Sequence, residues 1–177
     1  MRNLWMLVLL LASPAQTEVL SVANDGFVSQ HELVLKATPA EAYTALTDQL
    51  HNWWDAAHSY GGQASAFTLD ARAGGCFCEA LPNGGSVEHM RVVNAQPGKS
   101  LTLQGGLGPL QSMAVSGSML FRLQPHEQGT LLTYRYVVGG YHPGGLQSLA
   151  GPVDQVQLGQ LQRLARFIAS GQYLNQN

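Results

Sequence analysis

The chain predicts an α+β fold in which a curved antiparallel sheet of about six or seven strands wraps around a long C-terminal helix. Two short helices are expected after the first strand. Three observations carry this reading. Alternating apolar and polar residues, broken by turn signals, fill most of the stretch from 66 to 138, as expected of antiparallel strands with one face on a core. Thr38-Pro39-Ala40-Glu41 places threonine at an N-cap, proline at the first helical position and glutamate at the third, a capping box that starts a helix. From Pro152 to Ser170, the residues Val153, Val156, Leu161, Leu164, Ala165 and Ile168 recur at helical spacing and form one apolar stripe.

The N-terminus reads as a targeting segment. Arg2 supplies a positive end, Leu4 to Ala12 is an unbroken apolar run of nine residues, and Ser13-Pro14-Ala15 offers small residues for cleavage after Ala15. Nine residues are too few to span a bilayer, and no cysteine follows the run, so neither a membrane anchor nor a lipid anchor is expected. The division is then a signal peptide over 1–15, a short segment over 16–25, one domain over 26–171 and a tail over 172–177. The expected location is periplasmic or extracellular. Only 11% of residues are charged, the formal net charge is −2, and no block of like charges occurs, which argues against nucleic acid as a partner.

Within the domain, Gly26 to Ala37 alternates loosely and reads as the first strand. The capping box opens the first helix, with Ala42, Tyr43, Ala45 and Leu46 apolar. A second short helix or turn carries Leu50, Trp53 and Trp54. Strands follow at Ala66–Ala71, in a hairpin described next, at Ser100–Gly105, and in a long hairpin formed by Ala114–Leu123 and Thr130–Val138.

The hairpin between Arg72 and Val93, turning at Pro82-Asn83-Gly84-Gly85, concentrates the reactive groups: Cys76, Cys78, Glu79, Glu88, His89 and Arg91. On a regular strand Cys76 and Cys78 would have Cα atoms about 6.5–7 Å apart, at the limit for a disulfide, so two free thiols are expected. A bulge at Gly74-Gly75 would shorten that distance and permit the bond. Two registers are open. A two- or four-residue loop sets Cys78 opposite His89 and Cys76 opposite Arg91; a three-residue bulged loop sets Glu79 opposite His89. The second is favoured, because the first places Glu79 against Glu88. A zinc site of Cys76, Cys78 and His89 would lack a nearby fourth ligand, so no metal is expected. The glycine-rich stretches 105–110 and 139–145 lack the context of a phosphate loop and read as rims of an opening.

In this order the pieces resemble the START-like, helix-grip superfamily (SRPBCC), in particular its polyketide cyclase/dehydrase and lipid-transport-like branch. The resemblance rests on Ala37-Thr38-Pro39-Ala40-Glu41-Ala42-Tyr43 with Ala45-Leu46-Thr47-Asp48, on Trp53-Trp54, on Ala71-Arg72-Ala73-Gly74-Gly75, on Pro97-Gly98-Lys99 and on the closing helix. It implies a deep cavity between sheet and helix that holds apolar small molecules without a cofactor. Trp53, Trp54, Tyr60, Phe77, Tyr134, Tyr136, Leu164 and Ile168 are the expected ligand-binding residues. The leading expectation is a non-enzymatic, exported domain with a small apolar or amphipathic ligand. The alternatives are a cyclase, dehydratase or hydrolase-like enzyme using Glu79 and His89 as an acid/base pair, or an interaction module whose cavity is filled by its own side chains.

If the targeting reading holds, protein recovered from the extracytoplasmic fraction begins within a residue or two of Gln16. Intact-mass measurement decides this, and a mass that retains Met1 refutes it.

Overall fold

The computed structural model of the chain describes residues 17–172; the expected signal peptide lies outside them, as do residues 173–177. Eight antiparallel strands form one open sheet: β1 (Thr17–Ala23), β2 (Gly26–Leu35), β3 (Phe67–Leu69), β4 (Cys76–Ala80), β5 (Ser86–Gln96), β6 (Ser100–Gly105), β7 (Ala114–His126) and β8 (Gly129–Tyr141). Their spatial order is β1-β2-β8-β7-β6-β5-β4-β3. Every neighbour except β2–β8 is consecutive in sequence, so the sheet is nearly a meander. Helices α1 (Pro39–Thr47) and α2 (Leu50–Trp53) occupy the crossing from β2 to β3, and α3 (Gln147–Ala169) closes the chain. This is the helix-grip arrangement the sequence predicts, with one more strand at the edge. β1 falls where only a short N-terminal segment was expected; it pairs with β2 through a tight turn at Asn24-Asp25.

Alternation decides the faces. On β8, Leu132, Tyr134, Tyr136 and Val138 are buried, and on β7 Met119, Phe121 and Leu123 face them. Gly117 continues that inner row of β7. A Cβ there would sit 2.4 Å from the Tyr136 ring, so glycine is what lets this tyrosine lie flat across the strand. The capping box forms as read: the Glu41 N–H donates to the Thr38 hydroxyl at 3.4 Å, and the Thr38 N–H donates back to Glu41 Oε2 at 2.8 Å.

Three expectations need correction. α3 starts at Gln147, not Pro152, so Pro152 lies inside the helix. The face of α3 turned to the sheet also differs. Leu161, Leu164 and Ile168 are buried as expected, but the same face continues backward into Asp154 and Gln157, not into Val153 and Val156. Asp154 Oδ1 accepts from Ser29 Oγ at 2.6 Å and lies 2.9 Å from His31 Nε2, which fastens α3 to β2. These three side chains line neither of the cavities described below.

The third correction concerns the cysteines, which are joined by a Cys76–Cys78 disulfide with Cα atoms 5.3 Å apart. The expectation of free thiols assumed a regular strand. Instead the β4–β5 ladder slips between Phe77 and Cys78: Phe77 pairs with Met90, Cys78 with Glu88, and His89 is the extra residue. The Gly74-Gly75 corner is not this bulge. It is where the chain turns into β4, so tightly that a Cβ on Gly75 would lie 2.0 Å from the Asp70 carbonyl oxygen.

Thiol labelling of the denatured, non-reduced protein is therefore expected to find no free thiol, and two labelled cysteines per chain would contradict the bond. Because the bond closes a loop of only three residues, replacing both cysteines with serine is expected to cost about 1.5 kcal/mol or less in a urea titration.

Candidate ligand cavity

A cavity of about 370 Å³ lies between the first half of α3, the segment after α2, the bulge of β5 and the connection from β6 to β7. Its walls are mostly apolar. Val153, Val156 and Leu149 come from α3, Leu107, Leu110 and Met113 from the β6–β7 connection, and Trp54 from the end of α2. The polar wall residues are His58, Ser59, Tyr60, His89 and Gln157, and among the described residues no lysine, arginine, aspartate or glutamate lines it.

Two devices hold the rim. Tyr136, buried under the sheet, accepts from the Leu107 N–H at 3.3 Å and donates to the Gly105 carbonyl at 3.4 Å, which fixes the start of the β6–β7 connection. Burial pushes this phenol up to about 12, while the Leu107 N–H pulls the other way. On the opposite rim, the segment after α2 is tied to α3: the Asp55 N–H donates to Gln160 at 3.0 Å, and Arg163 Nε donates to the Trp53 carbonyl at 2.8 Å.

The chemistry centres on Glu79 and His89. Glu79 is 1% exposed and accepts from Ser59 Oγ at 2.6 Å, Gly61 N at 2.7 Å, Tyr60 N at 3.1 Å and His89 Nε2 at 3.0 Å. Burial alone would push the carboxyl upward, but these donors together outweigh it and hold Glu79 below its ordinary value. An ionised Glu79 fixes the proton of His89 on Nε2. Burial lowers the imidazole below its ordinary value, and Glu79 only partly restores it. His89 is therefore neutral near pH 7, with the lone pair on Nδ1, which has no partner among the described residues. Phe67 and Phe77 pack on the ring, each with its centroid 5.1 Å away.

Register explains how this pair forms. Neither expected register holds throughout: Cys76 does lie opposite Arg91, as the first has it, but the loop between β4 and β5 has five residues, Leu81–Gly85, and beyond the bulge Cys78 pairs with Glu88 and Glu79 with Val87. The bulge nevertheless turns His89 and Met90 inward in succession, so that His89 reaches Glu79 along the strand.

Of the expected ligand-binding residues, Trp54 and Tyr60 are on the wall, with His89 beside them. Glu79 stands behind His89 and does not line the cavity. Trp53, Phe77 and Tyr134 border, with Trp54, a separate void of about 20 Å³, room for about one water. Tyr136, Leu164, Ile168 and Ala165 line neither space; they belong to the core and its margin. Of the two glycine-rich stretches, 105–110 supplies Leu107 to Leu110 to the wall, and 139–145 supplies nothing. Sequence reasoning missed Gln157, Leu149 and Met113. The helical period did contain the signal, since 154, 157, 161, 164 and 168 share one face and leave 153 and 156 turned off it.

No family model matches the chain, and no curated protein matches it significantly. Solved structures do. An uncharacterised protein from Rhizobium leguminosarum superposes with a TM-score of 0.62 at 17% identity, over 89% of this chain and 99% of its own. CalU16 from Micromonospora echinospora gives 0.55 at 17% identity, over 89% and 86%. DynU16, a protein of the dynemicin biosynthetic locus, gives 0.55 at 18% identity, over 81% of this chain and 48% of its own. At such identities the likeness is one of fold, and it supports the helix-grip arrangement.

The two depressed pKa values act in the same direction on stability. Below 6.5 the unfolded His89 takes a proton that the folded one resists, so stability falls as pH drops from 6.5 to the lowered folded value. The Glu79 contribution is complete above 4.5 and is lost as pH falls through its own lowered value. Urea midpoints are expected to decline in two acid steps, and His89→Phe to flatten the step nearer neutrality. A variant profile that keeps the upper step intact would remove His89 as its source.

Proposed function

We propose that the chain is an exported START-like (SRPBCC) domain that binds a small apolar or amphipathic molecule in the cavity between α3 and the sheet. The observation that carries this is the cavity itself: about 370 Å³, within the range of small-molecule sites, with apolar walls and a few oriented polar groups. Export is supported by the tripartite N-terminal pattern and by the disulfide, since such bonds persist in oxidising compartments. The similarity to CalU16 and DynU16 supports the fold, and the biosynthetic locus of DynU16 is compatible with a small-molecule ligand.

A second reading keeps the same cavity and makes it an enzyme. It is favoured by His89, which lines the cavity, is oriented by Glu79 and has an Nδ1 without a partner among the described residues. The interaction-module alternative requires a cavity filled by the protein's own side chains, and the open volume argues against it.

The folded protein is expected to take up a neutral hydrophobic fluorophore such as N-phenylnaphthylamine. Val156→Trp, on the wall, should displace it, with a stability change well below the roughly 1–3 kcal/mol of overpacking a filled core. Absence of uptake, together with unfolding of Val156→Trp, would sink the binding reading. Turnover of a host metabolite that His89→Phe abolishes while fluorophore binding persists would favour the enzyme.

A further inference from the structure

The disulfide and the bulge face each other across one ladder. Cys76 pairs with Arg91 and Cys78 with Glu88, so two residues along β4 are matched by three along β5, and the extra residue is His89. The bond therefore brackets the slip between Phe77 and Cys78. It holds its two Cα atoms at 5.3 Å, against about 6.5–7 Å on a regular strand, and so shortens β4 just where β5 is longer. Phe77 and Glu79 are buried on the inner face, which turns Cys76 and Cys78 to the outer face of the sheet. Both cysteines are half-buried there, and their cross-strand neighbours Thr68, Glu88 and Arg91 are exposed. A bond that closes so short a loop adds little to the stability of the fold, and by reciprocity the fold adds equally little to the bond.

We propose that Cys76–Cys78 is a thiol–disulfide exchange site for an external dithiol, and that its reduction resets His89 on the cavity wall from the opposite face of the sheet. One thiolate of the dithiol attacks a cysteine sulfur and expels the other cysteine as a thiolate. The second thiol of the dithiol then displaces the remaining cysteine from the mixed disulfide. The protein gains two electrons and two protons, and the dithiol leaves as its own disulfide. With the bond cut, β4 can lengthen between Cys76 and Cys78, and the mismatch that sets His89 out of the pairing shrinks. His89 lines the cavity, and its Nε2 lies 3.0 Å from Glu79 Oε2. Glu79 also accepts from Ser59, Tyr60 and Gly61, so a displaced His89 alters the wall directly and loosens the 59–61 segment through Glu79. The effect on His89 follows from the register; the effect on binding rests on the ligand-binding reading above.

The test treats the disulfide-bonded protein with dithiothreitol in the absence of denaturant. Thiol labelling, the NMR signals of the His89 ring and titration with N-phenylnaphthylamine follow the outcome. Both cysteines are expected to become labelled while circular dichroism shows the fold intact, and the His89 signals to move. The fluorophore is expected to bind about threefold more weakly, since a loosened wall must be ordered again on binding. The double variant Cys76→Ser, Cys78→Ser should match the reduced protein and ignore dithiothreitol, which excludes a direct effect of the reagent; if it does not fold, the wild-type comparison decides alone. A bond reduced only in denaturant, or whose reduction unfolds the chain, is a structural brace, and the exchange site is then wrong. Complete reduction with unmoved His89 signals overturns the coupling. Moved signals with unchanged fluorophore affinity confine the effect to His89 and refute its reach into binding. Moved signals in a protein that never takes up the fluorophore uphold the coupling and remove the binding reading.

Discussion

A buried charge governs this architecture. Glu79 is ionised and 1% exposed, and a carboxylate so far from water is tolerated only when donors surround it. Those donors come from two places far apart in sequence, the 59–61 segment and the β5 bulge. The requirement pulls the segment after α2 down onto the end of the sheet and brings Ser59 and Tyr60 to the cavity wall. It also explains why a bulge at His89 is retained, although an irregular ladder loses regular pairing. The wall is apolar, but what holds it in place is electrostatic.

The other side of the cavity depends on where α3 is fastened. Its first half meets β2 through Asp154, whose Oδ1 accepts from Ser29 Oγ at 2.6 Å and lies 2.9 Å from His31 Nε2. Its second half packs through Leu161, Leu164 and Ile168. With both halves fixed on that face, Val153 and Val156 are turned away from the densest core and left to line an open space. A helix packed by apolar contacts alone would be free to roll and close that space. The polar attachment at Asp154 sets the rotation of α3 and so keeps the volume open.

What the sequence made legible follows the range of the interactions. Local signals were reliable: the capping box of α1, the alternation of β7 and β8, and the turn at Pro82-Asn83-Gly84, where Asn83 takes a positive φ of 63°. The closeness of Glu79 and His89 was also visible, because opposite groups on neighbouring strands attract. The register that achieves it was not visible, since a bulge leaves no mark in the hydrophobic pattern beyond two adjacent inward residues, His89 and Met90. The disulfide was misread for the same reason: the Cα separation depends on a distortion set by pairing partners. Pro152 suggested a helix start because proline fits the first turn, but its missing N–H costs only the bond to the carbonyl four residues back, and Leu146 and Gln147 are anchored to Asn24 ahead of it. The edge strand β1 depends on pairing with β2 and offers a single line no periodicity of its own.

The line between holding a ligand and transforming it can be drawn from the same geometry. An ionised Glu79 and a neutral His89 make a buried acceptor with one orientation, the arrangement a general base would need. Acid catalysis by His89 is disfavoured, because burial keeps the imidazole from carrying the proton it would have to give. A cyclase or dehydratase that began by proton abstraction would then need a second group, opposed across the cavity, to protonate the departing or developing oxygen. The wall offers His58 and Tyr60 for that task, and both are exposed, Tyr60 by 56%. Electrostatic catalysis relies on donors fixed in place before the reaction, in a setting that excludes water. On this wall His89 is fixed in that way by Glu79, whereas His58 and Tyr60 are exposed.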